Sequence, residues 1–166
     1  GNRLMGDDGF GSYMAEALDG NVKGCDVIDL GATGVSAVDI IKDYDIIIII
    51  DALLSEKDFE ISKINAEIDS DEITSTVLDY EYSGSHGLGI QSVLTTLKIM
   101  GYKPAEVYLI GCKPYTLEAK LGLSPELKSK LEQIIQAISD FLNKEFGVEV
   151  DVDNVKKKLE KVISVD

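Results

Sequence analysis

The sequence is poor in the residues that most often advertise chemistry: it has two cysteines and one histidine in 166 residues. Cys25 and Cys112 stand far apart, with no second cysteine or histidine at ligand spacing, which argues against a structural zinc site. Each lies in an apolar, strand-like run and reads as a reduced, buried small hydrophobe of a cytoplasmic protein. Basic residues are scarce as well, 16 Lys and Arg against 30 Asp and Glu, for a net charge of −14. That excess repels phosphate backbones and anionic lipid, so neither nucleic acid nor an anionic membrane surface is an expected partner. Long hydrophobic runs are missing. The longest, Ile46 to Ile50, falls far short of the roughly 20 residues a membrane span requires. No basic segment precedes an apolar one, so no signal peptide is read at the N-terminus. No G-x-x-x-x-G-K-S/T occurs either, which removes the commonest nucleotide-phosphate loop.

What is present describes an ordinary globular chain. The length fits one domain over residues 1–166, and a hydrophobic fraction of 45% is enough to build a core. Phe10, Met14, Ala17 and Leu18 recur at helical spacing and predict a first helix ending near Asp19-Gly20. Cys25 to Leu30 reads as a short strand, and Val35 to Ile41 as a short helix. The five isoleucines from Ile46 to Ile50 form the clearest strand. An unbroken β-branched run implies burial on both faces and hence a central, parallel strand. Glu60 to Ile68 alternates as a half-buried strand would, and Ile90 to Met100 carries another helical stripe. Glu106 to Gly111 is a further strand. Ser124-Pro125 caps a long helix through Leu142, and Asp153 to Val165 reads as a lysine-rich, solvated helical end-piece. Strands alternating with helices predict an α/β fold: three layers, α/β/α, with a mostly parallel, twisted central sheet flanked by helices. Such folds begin with a strand, so one is expected upstream of Gly1. No exposed stripe demands a partner copy, which leaves a monomer or a weak homo-oligomer.

Ligands of open α/β sheets bind at the carboxyl ends of the strands. Three candidate groups fall at such points. Asp7 and Asp8 crowd the opening stretch GNRLMGDDGFG, at the entrance to the first helix; Asp51 ends the isoleucine strand; His86 sits in the glycine-rich loop Gly84 to Gly89. Singly, each has a plain structural use, such as a carboxylate favoured by a helix N-terminus. Jointly, oxygen and nitrogen donors converging on one sheet edge suit a divalent transition metal such as nickel or zinc, with positions left open for water or substrate. A phosphate site fits less well, because Asp7 and Asp8 put negative charge where the anion would lie.

The opening GNRLMGDDGFG, the Asp29-to-Gly34 turn, the strand ending in Asp51-Ala52, Ser85-His86 with Gly87-Leu88, and Gly111-x-Lys113-Pro114 followed by Leu123-Ser124-Pro125 resemble the hydrogenase maturation endopeptidases. The similarity runs in order from residue 1 to about residue 142. The resemblance implies an endopeptidase, of aspartic or metal-dependent type, that trims the C-terminal extension of a nickel–iron hydrogenase large-subunit precursor. It implies that Asp8, Asp51 and His86 form the catalytic, metal-recognising site. The nickel is borne by the substrate, with zinc or cadmium able to stand in its place. Asp8 is preferred to Asp7 because it directly precedes Gly9-Phe10-Gly11; Asp7 is left to support Asp8 or to cap the helix. Residues 146–166 extend beyond what the family's core needs. Two rival readings stand beside this one: a nickel-binding escort that cleaves nothing, and a flavodoxin-like nucleotide binder.

Overall fold

The computed structural model describes residues 1–31, 38–64, 90–104 and 106–165. A tight 3-10 turn, Gly6–Gly9, runs directly into helix α1, Phe10–Leu18. Strand β1 (Val22–Lys23), helix α2 (Val38–Ile41) and strands β2 (Ile46–Ala52) and β3 (Phe59–Ile64) follow. Then come α3 (Ile90–Ile99), β4 (Glu106–Cys112), the single-turn α4 (Pro125–Lys128), α5 (Leu131–Phe146), β5 (Glu149–Val150) and α6 (Val152–Val165).

The described sheet has the order β2-β4-β3. β2 and β4 are parallel and in register from Ile46↔Glu106 to Ala52↔Cys112; β3 runs antiparallel to β4, from Phe59↔Cys112 to Ile64↔Val107. The sheet is therefore mixed where a mostly parallel one is expected. The cause is the link Leu53–Asp58, too short for the crossover of a dozen or more residues that a parallel return needs. The chain leaves β2 at its carboxyl end and must re-enter at that same end. Of the three described strands, β4 lies in the middle, with β2 and β3 on either side of it. A β-branched run reports that both faces are covered.

Alternation along the strands sorts the core into two faces. Ile48, Ile50, Ala52, Ile110, Cys112, Phe59 and Ile61 turn toward α1, α5 and α6, where they meet Phe10, Tyr13, Met14, Ile135, Ile138, Val155 and Leu159. Ile47, Ile49, Val107, Leu109 and Ile64 turn the other way, toward Val38 and Ile41 of α2 and Leu97 of α3. The layers are α/β/α, as predicted.

Three local expectations change. Cys25 to Leu30 is not a strand. Gly24 turns the chain at φ +99°, and the segment is held by side chains instead of a ladder. Asp26 accepts from the Tyr44 hydroxyl, and Asp29 accepts from Ser12 Oγ and from Gly31 N. The long helix after Ser124 is broken at Ser129-Lys130, where Ser129 Oγ donates to Glu126 O at 2.7 Å. Such back-bonding by Ser competes with the helical ladder. The C-terminal helix is not a solvated end-piece: Val155, Leu159 and Ile163 recur every fourth residue and are buried in the first core, while Lys157 and Lys161 are exposed.

The two thiols also part company. Cys112 is buried on β4, and burial first, then the nearby Asp7 charge, pushes its pKa up to about 12. Cys25 is exposed, against the expectation of burial. At pH 8, iodoacetamide is expected to label one thiol of the folded protein and two after denaturation, since only a reachable thiolate reacts. Mass spectrometry of the native adduct checks this, and rapid double labelling would contradict it.

Candidate active site

The site is built where β2 and β4 end. Asp51 is the penultimate residue of β2, paired with Gly111, and is 7% exposed. Its Oδ1 accepts from the next amide, Ala52 N, at 2.9 Å, which fixes the carboxylate against the strand end. Gly111 has no side chain, and Leu53 lies over it: a Cβ there would sit 2.7 Å from Leu53 Cδ1. Glu60 stands across Gly111 on the same sheet face, but its carboxylate turns to Ser55 Oγ and Ser62 Oγ at 3.0 and 3.1 Å.

The opening stretch folds over this edge. Gly6 takes φ +57°, a conformation that suits glycine, and starts the turn. Its N–H donates to Lys120 O at 2.8 Å, beside a parallel bridge between Met5 and Lys120. Asp8 is fully buried, and its Oδ2 accepts from Asn2 N at 2.9 Å. Gly1 passes between the two candidate carboxylate residues. A Cβ on Gly1 would lie 2.0 Å from the Asp8 carbonyl oxygen and 3.6 Å from Asp51 Oδ1. The fold thus brings the main chain of Asp8 and the carboxylate of Asp51 to Gly1 from two elements. His86, the third predicted member, lies outside the described residues. Among the described residues, no group of three His, Cys, Asp or Glu side chains is arranged to hold a metal ion.

Asp7 behaves unlike its neighbour. It does not cap α1, whose N-cap Gly9 makes no side-chain cap bond. Its buried carboxylate instead reaches the loop after β4, accepting from Ser124 N and Ser124 Oγ, both at 2.7 Å, and from Tyr115 N and Thr116 N at 2.8 and 3.3 Å. Ser124 Oγ in turn accepts from Leu127 N at 3.2 Å and caps α4.

Two polar clusters that sequence spacing does not reveal frame this edge. Arg3 spans the opening stretch, donating to Ser12 Oγ at 2.8 Å and to Glu16 and Asp29, with its guanidinium over the Tyr13 ring at 4.4 Å. On the other side, Lys130 Nζ pairs with Asp58 at 2.7 Å and donates to the Tyr115 hydroxyl, which donates to Asp58 at 3.1 Å. Those bonds hold the exposed Asp58 below the usual carboxylate range and Lys130 above the usual amine range. Their members come from segments far apart in the chain, so no local motif could have flagged them.

An α/β/α protein with two buried carboxylates at the carboxyl rim of its sheet is equipped for cation recognition or for water activation. Comparison with known proteins narrows that class. The family model "HycI: Hydrogenase maturation protease" matches residues 13–141. Hydrogenase 2 maturation protease of Escherichia coli is 29% identical over 152 residues, covering 90% of each chain. Hydrogenase expression/formation protein HupD of Rhodobacter capsulatus is 30% identical over 158 residues, covering 90% of this chain and 71% of the relative. Among solved structures, the hydrogenase maturating endopeptidase HybD of E. coli superposes with a TM-score of 0.71 at 28% identity, covering 90% of this chain and 91% of HybD. The NiFe hydrogenase maturation protease HycI of Thermococcus kodakarensis superposes with a TM-score of 0.59 at 27% identity, covering 86% and 88%. The chain belongs to the hydrogenase maturation protease family.

Proposed function

We propose that this protein is a cytoplasmic endopeptidase that removes the C-terminal extension of a nickel–iron hydrogenase large-subunit precursor already loaded with nickel. The observation that supports the proposal is the meeting, at Gly1, of the buried turn that carries Asp8 with the strand end that carries Asp51. The metal arrives as part of the substrate. Asp8, Asp51 and the neutral imidazole of His86 complete its coordination, so that only loaded precursor is held with its scissile bond in register. A carboxylate then takes the proton of the attacking water, or the substrate's metal polarises the scissile carbonyl. Both routes use the same side chains. Zinc or cadmium occupies the same donor set when it replaces nickel in the precursor.

Mass spectrometry of a co-incubated large-subunit precursor tests the reading. Nickel-loaded precursor is expected to lose a C-terminal peptide, and nickel-free precursor to stay intact. Unchanged mass in both, with the protein bound to the loaded form, identifies an escort instead of a protease.

A further inference from the structure

We propose that Asp7 is a positioning residue that locks the loop Tyr115–Ser124 to the turn carrying Asp8. The inference rests on the assignment of Asp8 to precursor recognition. Asp7 is fully buried, yet the described ion pairs do not include it. Its charge is met by three backbone N–H groups and one hydroxyl, all from that single loop. Burying a carboxylate without a cation is unfavourable unless its lone pairs are filled, and here four donors fill them. An apolar residue would leave these donors without acceptors, so the carboxylate is there for its directional bonds.

Those bonds have a definite mechanical effect. Asp7 N donates to Thr116 O at 3.0 Å and Gly6 N to Lys120 O at 2.8 Å, so the turn and the loop are tied through main chain and side chain together. Through Ser124 the tie reaches the first turn of α4, and through Tyr115 it reaches the Lys130–Asp58 pair at the start of β3. Asp8 is the next residue, in the same four-residue turn, with its carboxylate on Asn2 N. Its direction is thereby set by the loop that Asp7 holds. A ligand aimed in this way typically loses 10- to 100-fold in affinity or activity when the supporting group is replaced.

The test combines hydrogen exchange with kinetics on the full chain. In Asp7→Asn, exchange of the Tyr115, Thr116 and Ser124 amides is expected to quicken about tenfold, the equivalent of one hydrogen bond. The Asn2 amide, which reports on Asp8, should quicken with them. An Asn2 amide that stays protected while the loop amides open overturns the proposal, as does a loop that does not respond. If Asp7→Asn does not fold, Ser124→Ala carries the same test, because it removes the hydroxyl donor and leaves the three backbone donors. On nickel-loaded precursor, Asp7→Asn is expected to lower kcat/KM about 10- to 100-fold and to add nothing once Asp8 is Asn. Losses that multiply in the double variant would mean that Asp7 acts independently of Asp8. If the wild-type protein cuts no nickel-loaded precursor, the proposed function fails and the Asn2 exchange alone decides the positioning role.

Discussion

Asp8→Asn and Asp51→Asn should each lower processing of nickel-loaded precursor by about 10²- to 10⁴-fold while leaving the fold intact. The geometry allows this separation. Asn is isosteric with Asp and keeps one acceptor oxygen, so the bonds from Asn2 N at position 8 and from Ala52 N at position 51 can be retained. What is lost is the negative charge and the second oxygen, the two properties that cation coordination and proton abstraction require. Melting temperatures should stay within about 2–4 °C of wild type, the shift expected for about 1 kcal/mol in a domain of this size. Mass spectrometry of the precursor measures the first effect and thermal melting the second. Wild-type processing by either variant would remove that carboxylate from the site. The neighbouring Asp7→Asn should disturb stability as well as processing, because its carboxylate serves four donors within the fold. Two adjacent aspartates of equal burial are thus expected to fail in different ways.

The sequence discloses what is periodic or local. The stripe Phe10, Met14, Ala17, Leu18 gives α1 within a residue of its end, the isoleucine run gives β2, and Ser124-Pro125 gives the cap of α4. The positions of the Asp7-Asp8 pair at a helix entrance and of Asp51 at a strand end are legible because element boundaries can be read locally. What remains hidden depends on contacts between distant segments. The β1–β5 pairing joins residues on either side of the whole chain, and two residues of ladder leave no alternation to read. The place of α6 turns on whether Val155, Leu159 and Ile163 find a partner. The sequence offers the stripe but not the groove beside α1 and α5 that receives it. Asp7 is the sharpest case. Adjacent aspartates look alike in a motif, and only the loop 108 residues away distinguishes the one that binds backbone amides.

Gly11 is the position where a single methyl group is expected to harm stability and activity together. It lies in the first turn of α1, where intrinsic helix propensity favours Gly→Ala by about 1 kcal/mol. Packing opposes that gain. A Cβ on Gly11 would stand 2.2 Å from the Ile50 carbonyl oxygen and 3.3 Å from the Asp51 Cα. Both are backbone atoms of β2, held in register with Ile110 and Gly111 of β4, so no rotamer change relieves the clash. Either α1 tilts away, exposing Phe10, Tyr13 and Met14, or the end of β2 shifts and carries Asp51 with it. Forcing atoms into a packed core costs about 1–3 kcal/mol and more when backbone must move. The clash therefore outweighs the propensity, with a net loss of about 2 kcal/mol or more and a melting temperature lower by about 4–8 °C. Processing of loaded precursor should fall in the same variant at temperatures where it is still folded, because Asp51 is displaced relative to Asp8. A Gly11→Ala protein that melts at or above the wild-type temperature would show that helix propensity wins, and that α1 does not press on the strand end bearing the candidate carboxylate.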